Sequence, residues 1–392
     1  MRIAYVGDFI NHGKSLQTSG TPIVILLSRI DEVDSVDIYC PEQNENIEDF
    51  ILPPNVRLIP FYRYDDSISI LRLLSLRKSN YDWIIFNLLP TGFGNKSLPN
   101  LFGLMVPLIA KILFRSKNTR LVYHNSVFTN DIKRLGYDSF FNKFRAFFLG
   151  ILERELFKNL ETFVFLNLYR ERITRRIGLN KVKVIEGRYL EAITTVYING
   201  KMCEELCHVE NDPRVILMHG SWGPQKNLEL GLASLRKLKQ SGKNFKLILS
   251  GGINHHFQGY EEEFNDLIQE YSDTIDTYKG CVSERDIMGL FISADLVVLP
   301  YNTPGGHSGV LEQAIFFEIP TLAISFPEYE EQTINLKNVV LSSTEEFLDN
   351  LKKLFDSRSN ERVVEVKDKI SYSTKNVSVL LYGESNGRNK QI

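Results

Sequence analysis

The stretch Leu299-Pro300-Tyr301-Asn302-Thr303-Pro304-Gly305-Gly306-His307-Ser308-Gly309-Val310-Leu311-Glu312 holds the densest set of residues able to do chemistry. It follows an apolar run and opens a helical pattern, so it falls at the carboxyl end of a strand, where open α/β sheets bind ligands. Unpaired N–H groups in the helix's first turn favour an anion at that place. Gly306 and Gly309 allow the backbone close approach. Ser308 can cap the helix, and Glu312 lies one turn further in, on the same side. Three glycines and His307 exceed what a simple turn requires, although a turn with a Ser cap and a solvated Glu is the plain alternative.

Three more strand ends repeat the theme. In His219-Gly220-Ser221-Trp222-Gly223-Pro224-Gln225-Lys226-Asn227 a glycine loop again leads into a helix. A lysine there opposes the helix dipole unless an anion lies between them, so Lys226 is a candidate phosphate ligand; a solvated lysine is the alternative. Ser250-Gly251-Gly252 and Lys279-Gly280-Cys281-Val282-Ser283 close the next two strands, with Ser283 as an N-cap. Together these ends make one crevice, and Ser221, Gly252, Cys281 and Val282 are placed to line it. In the first half, Ser19-Gly20-Thr21-Pro22 opens a helix capped by Thr21, with Pro22 at its first position and Gly20 as a candidate ligand-facing glycine. His124 ends its strand in Tyr123-His124-Asn125-Ser126, where an imidazole can make proton or hydroxyl contacts or serve the core.

Two other patterns carry less. Gly13-Lys14-Ser15 suggests a phosphate loop, but Asp8 stands where that loop needs glycine, and Gly20 and Pro22 interrupt the helix that should follow. Cys203, Cys207 and His208 lack the second pair that a structural zinc needs. Asn376-Val377-Ser378 is a formal glycosylation sequon of no consequence without secretion.

The elements that must position these residues alternate in type. Strands are predicted at Arg2–Val6, Val36–Tyr39, Trp83–Asn87, Thr119–Tyr123, Thr162–Phe165 and Val182–Ile185, mostly continuous apolar runs suited to parallel strands covered on both faces. Helices are predicted at Pro22–Ile30, Ser69–Lys78, Leu101–Arg115, Phe140–Phe157 and Tyr169–Ile177. After a polar stretch, Asn199–Asp212, a second series follows. It has strands at Arg214–Met218, Lys246–Leu249, Thr274–Tyr278, Leu296–Leu299 and Thr321–Ile324, with helices between them. The expected fold class is α/β with two Rossmann-like domains. The chain's 392 residues, 43% hydrophobic and 24% charged, suit two globular domains. A net charge of -2 gives no general attraction to nucleic acid, and four cysteines suit a reducing compartment. The N-terminal residues show no secretion signal, and the apolar run Leu101–Phe114, broken by Pro107 and Lys111, is short for a membrane span. Basic, aromatic-rich helices at Phe102–Phe114 and Phe140–Phe157 suit either a membrane interface or, as the preferred reading, an amphipathic core.

From Arg214 to Ile324, and more weakly throughout, the chain resembles glycosyltransferase family 4, of GT-B fold. Gly220, Lys226, Gly280 to Val282 and Glu312 match that family's pattern, and Pro300-Tyr301 stands where it often has Pro-Ser. Ala294-Asp295 and Ile319-Pro320 extend the match, while Ser221 replaces the family's arginine and Pro304 its first glutamate. The resemblance implies two Rossmann-like domains facing across a cleft. Residues 1–205 would bind the acceptor, residues 206–370 the donor, and 371–392 would pack back on the first domain. It implies transfer of a hexose from a UDP- or GDP-sugar to a glycan or lipid-linked hydroxyl, with retention and without a metal or other cofactor. Lys226 would contact the diphosphate and Glu312 the ribose. The backbone near Cys281 and Val282 would hold the base, and amides of Gly306 to Ser308 would stand in for the missing glutamate. His124 would reach the donor sugar or acceptor. A cytoplasmic protein is expected, with possible contact at the inner membrane face. The alternatives are a nucleotide- or sugar-binding protein with impaired catalysis and a sugar-nucleotide epimerase of the same fold.

Overall fold

A computed structural model describes residues 1–7, 20–42, 51–78, 80–90, 92–94, 96–114, 118–124, 126–129, 140–178, 181–198, 201–203, 205–208, 211–254, 257, 259–303, 306–357 and 362–383. The chain divides into two compact units. Of the described residues, one unit contains those up to Gly187 and again from Ile370, and the other those from Arg188 to Lys369. The division falls earlier than the expected boundary at residue 205, because the helix Leu190–Val196 packs on the helix Gly309–Phe316 and so belongs to the second unit.

The strands of the first unit are β1 Arg2–Val6, β2 Ser35–Pro41, β3 Val56–Tyr62, β4 Trp83–Leu88, β5 Thr119–Tyr123, β6 Glu161–Val164 and β7 Val182–Val184. They form one parallel sheet in the order β3-β2-β1-β4-β5-β6-β7. β5 is buried at every position, Arg120 included. β3, absent from the expected set, holds Pro60, which is tolerated because β3 lies at the sheet edge. The helices are α1 Gly20–Leu27, α2 Ser67–Leu71, α3 Ser97–Phe114, α4 Phe140–Asn159 and α5 Asn167–Ile177. The first helix opens at Gly20 rather than Pro22, so Thr21 lies inside it. Leu104, Val106, Leu156 and Phe157 carry α3 and α4 into the core, and Leu160 just past α4 joins them. The preferred core reading fails for part of α4: Phe144, Phe147, Phe148 and Ile151 are exposed at helical spacing along one face.

In the second unit, α6 Leu190–Val196 precedes a short hairpin of β8 Tyr197–Ile198 and β9 Lys201–Met202. β10 Glu205–His208 follows. The principal strands are β11 Arg214–His219, β12 Phe245–Ser250, β13 Thr277–Lys279, β14 Leu296–Leu299, β15 Thr321–Ile324 and β16 Val339–Ser342, parallel in the order β13-β12-β11-β14-β15-β16. β10 pairs antiparallel with β17 Arg362–Glu365, so the polar stretch predicted as irregular is in part a strand. Helices α7 Leu228–Gln240, α8 Tyr260–Glu270, α9 Glu284–Ser293, α10 Gly309–Phe316, α11 Pro327–Gln332 and α12 Phe347–Asp356 connect the strands. The core gathers Ile216, Met218, Leu232, Leu247, Val298 and Leu322.

The last helix, α13 Val366–Tyr382, begins on the second unit and continues into residues of the first. Lys369 Nζ donates to the carbonyl of Phe316 (2.7 Å) and to Glu318 (2.6 Å) at the end of α10. At the other end, buried Arg120 of β5 donates to the carbonyls of Val379 (3.2 Å) and Leu380, pairs with Glu161 at 2.7 Å and lies over the Trp83 ring at 3.9 Å. A cation on the last carbonyls of a helix is favourable placement.

Candidate functional site

In the second unit the glycine loops meet at the carboxyl ends of adjacent parallel strands. Gly220, after β11, donates its N–H to the Ser250 carbonyl at 3.2 Å. Gly251, after β12, has φ 105°, and a Cβ there would collide with the Gly220 carbonyl, so only glycine fits. Its N–H reaches the carbonyls of Lys279 (2.9 Å) and Gly280 (3.0 Å), which ties in the end of β13. A Cβ on Gly252 would strike the Cys281 sulfur, so the backbone and that exposed thiol lie close together. Fully buried Trp222 fixes the first loop. Its N–H donates to Gly252 (2.8 Å) and its indole Nε1 to the Ser250 carbonyl (3.0 Å). Ser221 and Val282 are half-buried beside these contacts.

Lys226 closes the helical turn Pro224–Lys226, with its N–H on the Gly223 carbonyl at 2.9 Å. Its Nζ sits 3.5 Å from the centroid of the Tyr301 ring, a cation–π contact. Tyr301 is buried, and its hydroxyl donates to the His219 carbonyl at 3.1 Å. Removal of the ammonium from water lowers the pKa of Lys226 to about 7. His219, also buried, lies with Nδ1 3.2 Å from Ser250 Oγ. Burial first, and then the charge of Lys226, press its pKa down to about 4. The cation therefore rests on an aromatic face in an enclosed place, an arrangement that an arriving diphosphate would stabilise.

Ser308 caps α10 by accepting the Leu311 N–H at 3.3 Å, and its own N–H donates to Gln332 Oε1 at 3.2 Å. Gly306 is buried with φ 106°, and half-buried His307 and Gly309 complete the turn. Glu312 is not a solvated side chain. It is 0% exposed, its Oε2 accepts the Glu191 N–H at 3.1 Å, and its Oε1 lies 2.5 Å from His307 Nε2. Glu312 Oε1 and His307 Nε2 are thus in direct polar contact. Burial raises the pKa of Glu312, and His307 acts in the opposite direction. Both oxygens thus meet groups of the protein itself.

Gly20 and His124 belong to the first unit, and the other candidates to the second. Gly20 is buried at the start of α1. His124 follows β5, with its N–H on the Leu88 carbonyl at 3.0 Å and its ring against Phe165 at 4.7 Å. Its Nε2 lies 2.6 Å from Asn87 Oδ1. An amide oxygen can only accept, so Nε2 carries the proton. Asn87 also packs on Gly7, where a Cβ would come within 2.8 Å of the Asn87 carbonyl oxygen.

One group in this neighbourhood escaped sequence reading. Glu153 of α4 is 0% exposed and accepts from Tyr123 Oη (2.8 Å), Ser126 Oγ (2.6 Å) and the Val127 N–H (3.2 Å). Burial raises its pKa to about 7 even though all of these donors act to lower it. The available signal was a lone carboxylate on the helix stripe that carries Leu156 and Phe157.

His208 serves the core: Nδ1 lies 2.6 Å from the Ile292 carbonyl and Nε2 2.9 Å from Asp295. Among the described residues no group of three His, Cys, Asp or Glu side chains could hold a metal ion, and no helix is long and apolar enough to cross a membrane. Gly13-Lys14-Ser15, Ser19, Asn125, Pro304, Gly305 and the tail beyond 383 lie outside the described residues.

Residues 208–376 match the family model described as glycosyl transferases group 1. No curated protein matches the chain. Among solved structures, sucrose-phosphate synthase from Thermosynechococcus elongatus is similar at 13% identity and a TM-score of 0.60, over 97% of this chain and 94% of that one. HepE of Anabaena, in complex with UDP and glucose, is similar at 15% identity and a TM-score of 0.57, over 97% and 94%. UDP-GlcNAc 2-epimerase from Methanocaldococcus jannaschii is similar at 14% identity and 0.55, over 98% and 100%. These likenesses show the fold: two Rossmann-like parallel-sheet units of the kind found in GT-B glycosyltransferases.

Proposed function

We propose that this chain is a glycosyltransferase that moves a hexose from a UDP- or GDP-linked sugar to a hydroxyl of a glycan or lipid-linked acceptor. In this reading the anomeric configuration is retained and no metal or other cofactor takes part. The observation that carries the proposal is the group 1 match over residues 208–376, which spans the glycine strand ends and Lys226.

Negative charge grows on the diphosphate as the glycosidic bond breaks, and preorganised positive charge lowers that barrier. Lys226 and the N–H groups of Gly306, His307 and Gly309 supply it, the Ser308 N–H being held by Gln332. Ser221 and Gly252 line the phosphate and sugar side, and the backbone of Cys281 and Val282 holds the base. Glu312 takes the ribose hydroxyls once His307 yields Oε1. The second unit is the donor domain. The first, completed by 371–392, receives the acceptor, with Gly20 near the donor and His124 contacting sugar or acceptor. A cytoplasmic location at the inner membrane face agrees with the exposed aromatic stripe of α4.

The test is release of nucleoside diphosphate from UDP-, GDP- and ADP-sugars. Slow release from one donor, accelerated by acceptor, is expected. Lys226→Ala should weaken nucleoside diphosphate binding roughly 10- to 100-fold while leaving nucleoside binding unchanged. Equal losses for both ligands would remove the phosphate role. Ser221 in the arginine's place favours one rival, a binding protein with impaired catalysis, which would bind donor without turnover. A new sugar nucleotide formed without acceptor would assign an epimerase.

A further inference from the structure

We propose that Glu153 is a positioning residue for His124, and this rests on the reading in which His124 meets the sugar or acceptor. The carboxylate is wholly buried on a helix whose inward neighbours, Leu156 and Phe157, are apolar. A hydrophobic residue of similar volume would fill that position without the desolvation cost, and such replacements are often neutral or stabilising. What Glu153 adds is four acceptor positions aimed at one short segment.

Every donor it receives flanks His124. Tyr123 Oη, one residue before it, binds Oε1 at 2.8 Å. Ser126 Oγ, two residues after it, binds Oε2 at 2.6 Å, and the Val127 N–H approaches both oxygens at 3.3 and 3.2 Å. Ser126 passes the constraint on: its Oγ accepts the Phe128 N–H at 3.1 Å, and its carbonyl takes the Thr129 hydroxyl at 2.8 Å. From the other side Asn87 and Phe165 hold the ring. A single carboxylate thus ties down the chain before and after the histidine, which fixes the imidazole's direction as it leaves the sheet. Displacement of a reacting group by about 1 Å can cost on the order of 100-fold in rate.

The decisive variant is Glu153→Gln, which keeps the volume but removes one carboxylate oxygen and sets an amide N–H₂ where the Val127 N–H, which can only donate, and the two hydroxyls now meet acceptors. It should lower kcat roughly 10- to 100-fold while leaving donor KM within about twofold. Combined with His124→Ala, it should slow the enzyme no further than His124→Ala alone. Independently of activity, the ring resonances of His124 in ¹³C-histidine-labelled full-length protein should shift in Glu153→Gln. Should Glu153→Gln fail to fold, Tyr123→Phe and Ser126→Ala each remove one donor and should move those resonances instead. Unmoved His124 resonances in a folded variant, or rate losses that multiply in the double variant, would overturn the proposal. If the wild-type protein transfers no sugar with any donor, the functional reading fails and the resonance measurement alone decides the positioning role.

Discussion

At the scale of single residues, Lys226 stands out because its environment takes away what a phosphate ligand needs. Held over the Tyr301 ring and drawn away from water, it has a pKa lowered to about 7 by desolvation, so the charge that a phosphate needs is held less firmly than on a free lysine. A bound diphosphate stabilises the ammonium form and raises that pKa. Binding above pH 7 therefore takes up a proton, and the dissociation constant should rise by up to about tenfold per pH unit until the bound form's own pKa is reached. Calorimetric titration with a nucleoside diphosphate at pH 7, 8 and 9 checks this, as does the dependence of the heat on the buffer's ionisation enthalpy. A constant affinity across that range would mean the ammonium does not touch the phosphates. Glu312 teaches the opposite lesson. Its place in the sequence is that of an outward ligand, yet Glu191 and His307 occupy both of its oxygens. Sequence shows the type and spacing of such a residue but not which neighbours the fold will set against it.

Elements were readable where their own residues decide them. β14 and β15 are nearly continuous apolar runs whose burial on both faces follows from their composition, and α7 shows its stripe at Leu228, Leu232, Leu235 and Leu238. β3 was hidden because Pro60 argues against a strand unless its place at the edge is known. β10 was hidden because its partner, β17, is remote in sequence, so nothing local stabilises it. α4 has two faces with different duties. Inward, Glu153 holds the loop after β5; outward, Phe144, Phe147, Phe148 and Ile151 face solvent, with Arg154 exposed at the end of their stripe. Such a face suits the boundary between headgroups and acyl chains of anionic lipid. The protein should co-sediment with phosphatidylserine-containing vesicles at low salt, and Phe147→Ser with Phe148→Ser should abolish this. Sedimentation unaffected by the double substitution would place lipid contact elsewhere.

At the scale of the whole molecule the two units are built differently along the chain. Among the described residues the second is contiguous from Arg188 to Lys369, and its six-stranded sheet and core lie within that span. A fragment of residues 188–369 should therefore fold alone and melt cooperatively, as followed by circular dichroism, whereas residues 1–187 should not. The latter lack buried Val377, Leu380 and Leu381, and the carbonyls that satisfy the Arg120 guanidinium. A fragment 188–369 without a cooperative transition would contradict this division. The same asymmetry has a consequence for biosynthesis. As the polypeptide leaves the ribosome, the half that emerges first stays unfinished while the half behind it can already close, because the helix that seals the earlier half is translated after both. Throughout that interval an apolar groove and a buried-to-be cation are open to the cell, and a chaperone that shields the nascent N-terminal half would act in this window.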